Sequence, residues 1–321
     1  MKDNKLILAL DYGGTKLTAA TVRADEHRWL ALERSVSPVS HDGEYERATM
    51  LTLARRLLAG AQPAAIGVSF GGPVDCSGRL VLLSYHIPCW ENIALCDQLE
   101  AALGAPATMA NDANAGALGE YVFGAGGGCT SLFYVTVSTG VGGGWVFDGE
   151  IFTGADGLAG EIGHVTADPR GPLCACGRRG CVEAMACGPA IAGAAQRRLY
   201  AEPDVGAELR KLTNGDINCV TGELVARAAQ AGDVLAAEVL TAAAHALGFG
   251  IGTAISLVNP ERVVVGGGVS KAGAAYWTAL RSAARAHTPP QLRVEIVPAA
   301  FGDDAPLWGA VALARNLLTK N

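Results

Sequence analysis

Residues 161–183 contain two short motifs, Glu161-Ile-Gly-His164 and, after a Pro/Gly-rich bend, Cys174-Ala-Cys176-Gly-Arg-Arg-Gly-Cys181-Val-Glu183. Three cysteines and one histidine between positions 164 and 181 match the donor set of a closed, tetrahedral Cys3His zinc site. We therefore predict a structural zinc ion with four ligands: His164, Cys174, Cys176 and Cys181.

Two glutamates flank the predicted metal loop, Glu161 before it and Glu183 two residues after Cys181. A closed Cys3His site needs no oxygen ligand, so these carboxylates are available to another partner. Carboxylates only accept hydrogen bonds, and acceptors held in fixed positions suit a ligand with several hydroxyl donors. We predict that the metal loop shapes one wall of a sugar site.

Length and composition limit the classes of protein to consider. At 321 residues the chain is long for one hydrophobic core, which favours two lobes. Half of the residues are apolar, yet no uninterrupted apolar run is long enough to span a bilayer, and the N-terminus lacks the pattern of a signal peptide. A formal charge of −6 without a basic block argues against nucleic acid as a partner. We expect neither a membrane nor a nucleic acid partner.

The cysteines outside the metal loop are scattered among apolar or small neighbours. This pattern predicts packing thiols in a reducing, cytoplasmic compartment. The residues concerned are Cys76, Cys89, Cys96, Cys129, Cys187 and Cys219.

The N-terminal segment predicts a hairpin whose turn is suited to a phosphate. Two apolar runs, Lys5–Asp11 and Leu17–Val22, flank the turn Asp11-Tyr-Gly13-Gly14-Thr15-Lys16. Glycines let backbone N–H groups approach a phosphate, Thr15 adds a hydroxyl and Lys16 a positive charge, and Asp11 is placed to hold a metal-bound water. An ordinary hairpin turn is the alternative, and the segment lacks the Walker pattern.

Two later segments repeat this glycine-rich pattern. Strand-like residues Cys129–Val137 lead into Ser138-Thr139-Gly140-Val-Gly142 and then Trp145–Phe147, so Thr139 and Gly140 are predicted phosphate contacts from a loop facing the first across a cleft. The strand Arg262–Val265 ends in Gly266-Gly267-Gly268, which would let adenine or ribose lie against the backbone or would simply make a tight turn.

Asp112 is the predicted general base. A strand, Ala107–Ala110, breaks into Asn111-Asp112, and helical pattern resumes at Ala117–Phe123. In phosphoryl transfer to a hydroxyl, a positioned carboxylate takes the proton of the attacking group. An acid before a helix is also a common N-cap, and the two roles can coexist. Asn111 offers an amide to a sugar hydroxyl.

The remaining pattern predicts further α/β units. We expect strands at Ala64–Phe70, ending at Gly71-Gly72-Pro73, and at Leu292–Val297. The predicted helices are Glu44–Leu58, Asn92–Leu103, Pro189–Tyr200, Gly222–Ala231, Val234–Leu257 and a closing helix, Ala305–Leu318, that packs on the first lobe.

These motifs resemble the ROK family (repressors, open reading frames and sugar kinases) of the hexokinase–actin superfamily, over essentially the whole chain. The resemblance implies an α/β fold with two RNase-H-like lobes around a central cleft, here residues 1–123 with 305–321, and residues 124–304. It also implies ATP, Mg2+ and structural Zn2+, a hexose as acceptor, and a homodimer. The Cys-x-Cys-Gly-x-x-Gly-Cys-x-Glu motif is the most specific part.

The resemblance also implies residue roles. Asp112 is the base, and the sugar is bound by Gly72, Asn111, Asp112, Glu161, His164 and Glu183. ATP with its metal is bound by Asp11, Gly13, Gly14, Thr15, Lys16, Thr139, Gly140, Gly266, Gly267 and Gly268. His164 serves the metal and the sugar because an imidazole has two nitrogens.

Two departures from the family pattern concern substrate choice. Tyr12 replaces an aliphatic residue, which we expect to be tolerated, and His86 replaces an asparagine near the sugar. The leading hypothesis is a glucokinase that acts at O6 of glucose. N-acetylmannosamine and N-acetylglucosamine are the alternative substrates. A sugar-responsive repressor and a sugar-binding regulatory protein without catalysis are the hypotheses from other classes. Because Asp11 lies ten residues from the start of this sequence, we expect no DNA-binding module before it.

Overall fold

The computed structural model describes residues 5–84 and 87–319. Its first sheet has five strands in the order β3-β2-β1-β4-β5. β1 is antiparallel to β2 and parallel to β4, which is parallel to β5, so the sheet is mixed. The strands are β1 (Leu6–Tyr12), β2 (Lys16–Arg23), β3 (Ala31–Val36), β4 (Ala65–Phe70) and β5 (Ala107–Asn111).

The second sheet also has five strands, in the order β10-β9-β6-β7-β8. β9 and β10 are parallel, whereas β7 and β8 are antiparallel. The strands are β6 (Ser131–Val137), β7 (Val141–Phe147), β8 (Glu150–Phe152), β9 (Arg262–Gly266) and β10 (Glu295–Pro298). The prediction of a strand beginning at Leu292 was three residues early, and β3 and β8 were not predicted.

Ten α-helices lie within the described residues, and some of them start directly after a residue whose side chain caps the first turn. Asp42, Thr221 and Asp233 each accept a hydrogen bond from a backbone N–H of the first turn. The helices are α1 (Gly43–Leu58), α2 (Leu95–Leu103), α3 (Asp112–Phe123), α4 (Val182–Ala186), α5 (Gly188–Ala201), α6 (Ala207–Leu212), α7 (Gly222–Gln230), α8 (Val234–Val258), α9 (Ala274–Ala286) and α10 (Ala305–Thr319).

Contacts divide the chain into two compact units. The first comprises residues 1–132, 144–159 and 304–321, and the second comprises residues 133–143 and 160–303. The boundary predicted from the sequence lay at 123/124 instead, and that division into functional lobes stays a prediction.

In the first unit, the closing helix α10 packs against β1, β4 and α3, as the sequence predicted. Two glycines permit this close approach. A Cβ on Gly67 of β4 would lie 1.7 Å from the carbonyl oxygen of Ala310, and one on Gly309 would lie 1.8 Å from that of Ala115. The chain therefore needs glycine on both sides of α10.

In the second unit, the long helix α8 is a core helix. By length and composition alone this helix could cross a membrane, but 61% of its apolar stretch is buried inside the protein. Gly248 and Gly252 bring α8 against α9, because a Cβ on either would lie 2.7 Å from a carbonyl oxygen of that helix. The burial explains the apolar composition.

The scattered cysteines divide into two groups. Cys96, Cys129 and Cys187 are buried, in line with the predicted packing thiols. The prediction was wrong for Cys76, Cys89 and Cys219, whose residues are exposed.

Candidate active site

The first glycine turn connects β1 and β2 and leaves amide donors exposed. Gly13 N–H donates to the carbonyl of Lys16 at 3.2 Å, which closes the turn. Gly14 and Thr15 are exposed, and their N–H groups donate to no acceptor among the described residues. Two unused N–H groups beside a threonine hydroxyl form a site with the chemistry of an anion cradle.

Asp11 lies at the base of this turn and is only 7% exposed. Its pKa is raised to about 7: burial is the largest cause, the nearby carboxylate of Asp112 acts in the same direction, and Ser69 and Lys16 act in the opposite one. The group therefore sits near its protonation midpoint at neutral pH. A bound cation would favour the charged form of Asp11.

Asp112 begins α3, and its neighbour Asn111 caps the helix. The Asn111 Oδ1 accepts hydrogen bonds from the N–H groups of Ala113 at 3.0 Å and Asn114 at 3.4 Å, so the reading of Asp112 as the N-cap was wrong. The Asp112 Oδ1 accepts from Ala113 N–H at 2.8 Å. The N-terminus of a helix stabilises a negative charge at this position.

Gly71 and Gly72 bring the end of β4 close to these groups. A Cβ on Gly71 would lie 4.0 Å from the Asp112 Oδ2, and one on Gly72 would lie 2.8 Å from the carbonyl oxygen of Leu83. Asn111 Nδ2 donates to the carbonyl of Gly72 at 3.2 Å. Both the oxygen and the nitrogen of the Asn111 side chain therefore already form hydrogen bonds within the protein. A role for Asn111 in sugar binding stays a prediction.

Tyr12 is accommodated in an aromatic cluster beneath the first turn. Its ring, 2% exposed, packs edge-on against Trp90 with centroids 5.5 Å apart and lies 6.2 Å from Phe70. This packing shows how a bulky residue fits where an aliphatic one was expected. His86, the other departure, lies outside the described residues.

The second glycine turn, between β6 and β7, resembles the first. Ser138 N–H donates to the carbonyl of Gly140 at 2.9 Å, and the N–H groups of Thr139 and Gly140 have no acceptor in the described part of the chain. Glu183 lies against this turn, where its Oε2 accepts from Val141 N–H at 3.0 Å. A Cβ on Gly140 would lie 2.8 Å from the same oxygen.

The third glycine segment packs directly on the second turn. Gly267 has φ +85°, and a Cβ there would lie 2.4 Å from the carbonyl oxygen of Val137. A Cβ on Gly268 would lie 3.7 Å from the Ser138 Oγ. Gly266 ends β9, and a single 3-10 turn, Gly268–Lys271, follows. The tight-turn reading is confirmed, and contact with adenosine stays a prediction.

The four predicted metal ligands lie together. One ligand atom from each of His164, Cys174, Cys176 and Cys181 falls within 4.8 Å of all the others. Neighbouring ligand atoms are 3.8 Å apart for His164 Nδ1 and Cys174 Sγ and 3.6 Å apart for the other two sulfurs. In a tetrahedral site with metal–sulfur bonds of about 2.3 Å these separations are about 3.8 Å, so the residues fit zinc.

Two further features of the loop concern its backbone at Gly180 and the pKa values of its thiols. Gly180 has φ +65°, and a Cβ there would lie 1.5 Å from the carbonyl oxygen of Asp168. Hydrogen bonds from Arg178 lower the pKa of Cys176 to about 6, whereas burial raises that of Cys181 to about 12. The hydrogen bonds from Arg178 therefore favour the thiolate form of Cys176, which is the form that binds a metal.

His164 presents its two nitrogens to different partners. Nδ1 faces Cys174, and Nε2 lies 3.8 Å from a carboxylate oxygen of Glu161. The predicted double role, in which one nitrogen binds the metal and the other the sugar, stays a prediction.

Known proteins are similar to this chain over almost its whole length. The model of the ROK family matches residues 7–317. The chain belongs to the ROK family. A glucokinase from Thermotoga maritima is 31% identical over 97% of each chain, and an N-acetylmannosamine kinase from Shigella boydii is 37% identical over 96% of this chain and 98% of its own.

A solved ROK structure extends the likeness to three dimensions. The ROK family glucokinase from Streptomyces griseus, in complex with glucose and AMPPNP, is 33% identical and has a TM-score of 0.84, with 97% of this chain and 99% of that chain covered. The predicted family and two-sheet α/β fold class are thus confirmed for this ROK protein.

Sequence reasoning missed the role of Asp304 in this ROK protein, and it missed the hydrogen bond that Glu183 accepts. The carboxylate of Asp304 contributes to raising the pKa of Asp11, and Arg34 Nη2 lies 2.6 Å from Asp304. The paired acids Asp303-Asp304 before α10 were the available signal. The bond from Val141 to Glu183 had none, because the residues are 42 positions apart.

Proposed function

We propose that this chain is an ATP-dependent hexose kinase that transfers the γ-phosphate to O6 of glucose. The supporting observation is the pair of glycine turns, in which Gly14, Thr15, Thr139 and Gly140 offer unclaimed N–H groups next to threonine hydroxyls. Such turns suit the phosphates of a nucleotide. The full-length likeness to sugar kinases supports the same reading.

Asp112 is the proposed general base. Its carboxylate takes the proton of the sugar hydroxyl as that oxygen attacks the γ-phosphorus, the bond to the β-phosphate oxygen breaks and ADP leaves. The proton ends on Asp112 and is then released to water. The position of Asp112 in the first turn of α3 favours its charged, proton-accepting form.

Sugar recognition is proposed for carboxylate, amide and imidazole groups. Glu161 and Glu183 accept hydrogen bonds from sugar hydroxyls, and the Nε2 of His164 accepts or donates one. Asn111 and Gly72 border the reacting group. A ring of such partners orients a polyhydroxyl ligand and excludes water from the attacking hydroxyl.

Two metals complete the proposal. Mg2+ supplies positive charge that neutralises the transferred phosphate. Asp11, buried beside the first turn, is the residue proposed to hold its water ligand. Zn2+ is proposed as structural, bound by His164 and three cysteines, and it fixes the loop between Glu161 and Glu183.

The substrate has a second candidate. N-acetylmannosamine is supported by the 37% identity to the kinase of that name, against 31% to the glucokinase. Turnover with ATP should be measured by ADP release for glucose, N-acetylmannosamine, N-acetylglucosamine and mannose. The highest kcat/KM with glucose supports the first proposal, and one with N-acetylmannosamine replaces it by the second. No release with any of them would refute a hexose kinase and favour a sugar-binding regulator.

Assembly and location are also proposals. We propose a cytoplasmic homodimer, on the basis of the family resemblance and of free thiols suited to a reducing compartment. Light scattering of the purified protein tests the dimer.

A further inference from the structure

We propose that Glu183 is a positioning residue that holds the turn Ser138–Gly142 in its phosphate-binding shape, and that the metal loop controls nucleotide affinity through Glu183. The proposal rests on the proposed function, because it takes this turn as a phosphate site. All the residues concerned belong to the second unit.

Two bonds fasten the turn to the segment that follows the metal loop. At one end, Val141 N–H donates to the Glu183 Oε2 at 3.0 Å. At the other end, Gly188 N–H donates to the carbonyl of Ser138 at 2.7 Å. Gly140 lies between these bonds and leaves 2.8 Å between its would-be Cβ and the Glu183 carboxylate. The turn is therefore held at both ends by residues 183–188.

The same segment is anchored by a metal ligand. Cys181, 0% exposed, is the residue that precedes α4, and Glu183 is the second residue of that helix. Val182 N–H donates to the carbonyl of Val165, next to His164. α4 has only five residues, too few to be stable by itself. Its position, and with it that of Glu183, depends on the loop that the four ligands close.

Electrostatics explain why Glu183 positions the turn and does not bind phosphate. A carboxylate repels a phosphate, so the contribution of Glu183 to nucleotide binding is the backbone bond that its Oε2 accepts. That bond commits Val141 N–H and leaves the N–H groups of Thr139 and Gly140 for the nucleotide. Without the acceptor, Val141 N–H loses its partner, and an unpaired donor on a residue that is only 5% exposed favours a rearranged turn.

The test measures binding and not turnover. Calorimetry with ADP and Mg2+, in the absence of sugar, gives the Kd for zinc-loaded wild type, for zinc-stripped wild type, and for Glu183→Gln and Glu183→Ala. Glutamine keeps an oxygen acceptor for Val141 N–H, and alanine does not. Glu161→Gln is the matched control, since that carboxylate flanks the same loop but lies 3.8 Å from His164.

We expect Glu183→Ala to raise the Kd for ADP about tenfold, as loss of one well-formed bond would. Glu183→Gln and Glu161→Gln should stay within about threefold of wild type. Stripping zinc should weaken ADP binding by a similar factor in wild type and have little further effect in Glu183→Ala, because the two changes act through one contact.

Each other result is decisive. Wild-type affinity in zinc-loaded Glu183→Ala overturns the positioning role, and an additive effect of zinc removal overturns the coupling through Glu183. If Glu183→Ala loses zinc or fails to fold, Glu183→Met takes its place, because methionine has a similar length and no oxygen acceptor: wild-type affinity there, with zinc retained, refutes the proposal. Wild type that binds no ADP refutes the proposed function itself.

Discussion

The two threonine-containing glycine turns have the same backbone chemistry but are supported differently. In the first, residues 13–16, the nearest acid is Asp11, which is buried at the base of the turn and has a pKa raised to about 7. In the second, residues 138–142, the nearest acid is Glu183, which accepts a hydrogen bond from the turn itself. We propose that Asp11 acts through its charge and that Glu183 acts by holding the second turn in position.

The acids beside the two turns differ in their surroundings, and we expect their substitution to have different effects. The first turn lies near two carboxylates, Asp11 and Asp112, whose charges affect each other. The second has its acid on a helix that follows a metal ligand, Cys181. Substitutions near the first turn should therefore change turnover and pH dependence, and those near the second should change affinity and metal dependence.

The largest effect is expected for Asp112→Asn. Asparagine keeps an oxygen that accepts from Ala113 N–H but cannot take a proton, so kcat should fall by about 10² to 10⁴. Binding of ADP and of sugar should change little. Steady-state kinetics and calorimetry check this, and a kcat near that of wild type would exclude Asp112 as the base.

The next effect concerns stability and pH at Asp11. A pKa moved from 3.8 to about 7 means that the folded protein holds this proton more tightly than the unfolded chain. Stability from the neutral carboxyl is complete below about pH 4 and is lost as pH rises to about 7. At pH 8 Asp11→Asn should therefore be more stable than wild type, by up to about 4 kcal/mol.

Urea unfolding without nucleotide or Mg2+, at pH 5 and pH 8, checks this prediction. The stability gain of Asp11→Asn should be larger at pH 8 than at pH 5, while kcat falls. The control is Asp156→Asn, an exposed acid of the same unit. Equal gains at both pH values would show that burial does not raise this pKa.

Cys176→Ser should have a smaller effect on stability. Removing one of four ligands lowers zinc content below one per chain and frees the loop, which should lower Tm by at least about 5 °C. Cys219→Ser, at an exposed thiol outside the cluster, is the control. Wild type that is free of metal yet has the same Tm would contradict a structural zinc.

The sequence was informative where a local pattern decides the structure. The ligand spacing predicted the metal cluster, and apolar runs around glycines predicted the hairpin of β1 and β2 and the core helix α8. The sequence did not predict strands in segments where the local pattern is weak. β3 is partly exposed with mixed residues, Ala-Leu-Glu-Arg-Ser-Val, and β8 has three residues, so neither shows a strand pattern.

The site shows the same limit. The start of α3 was placed at Ala117, five residues late, because Asn111 and Asn114 resemble a loop, whereas Asn111 caps the helix. The identities of Asp112 and Glu183 were available from the motifs. Their partners were not, since a bond between residues 42 positions apart leaves no mark on a single sequence.

The smallest effect separates the two turns most directly. Neither Gly14 nor Gly140 has a positive φ, so alanine fits the backbone at both. A Cβ on Gly14 meets nothing within 4 Å, whereas one on Gly140 lies 2.8 Å from the Glu183 oxygen. Gly14→Ala should therefore change the free energy of unfolding by less than about 0.5 kcal/mol, and Gly140→Ala should lower it by about 1 to 2 kcal/mol. Equal losses in urea unfolding would mean that the Glu183 side chain moves aside without lowering stability. The two turns would then not differ in how they are supported.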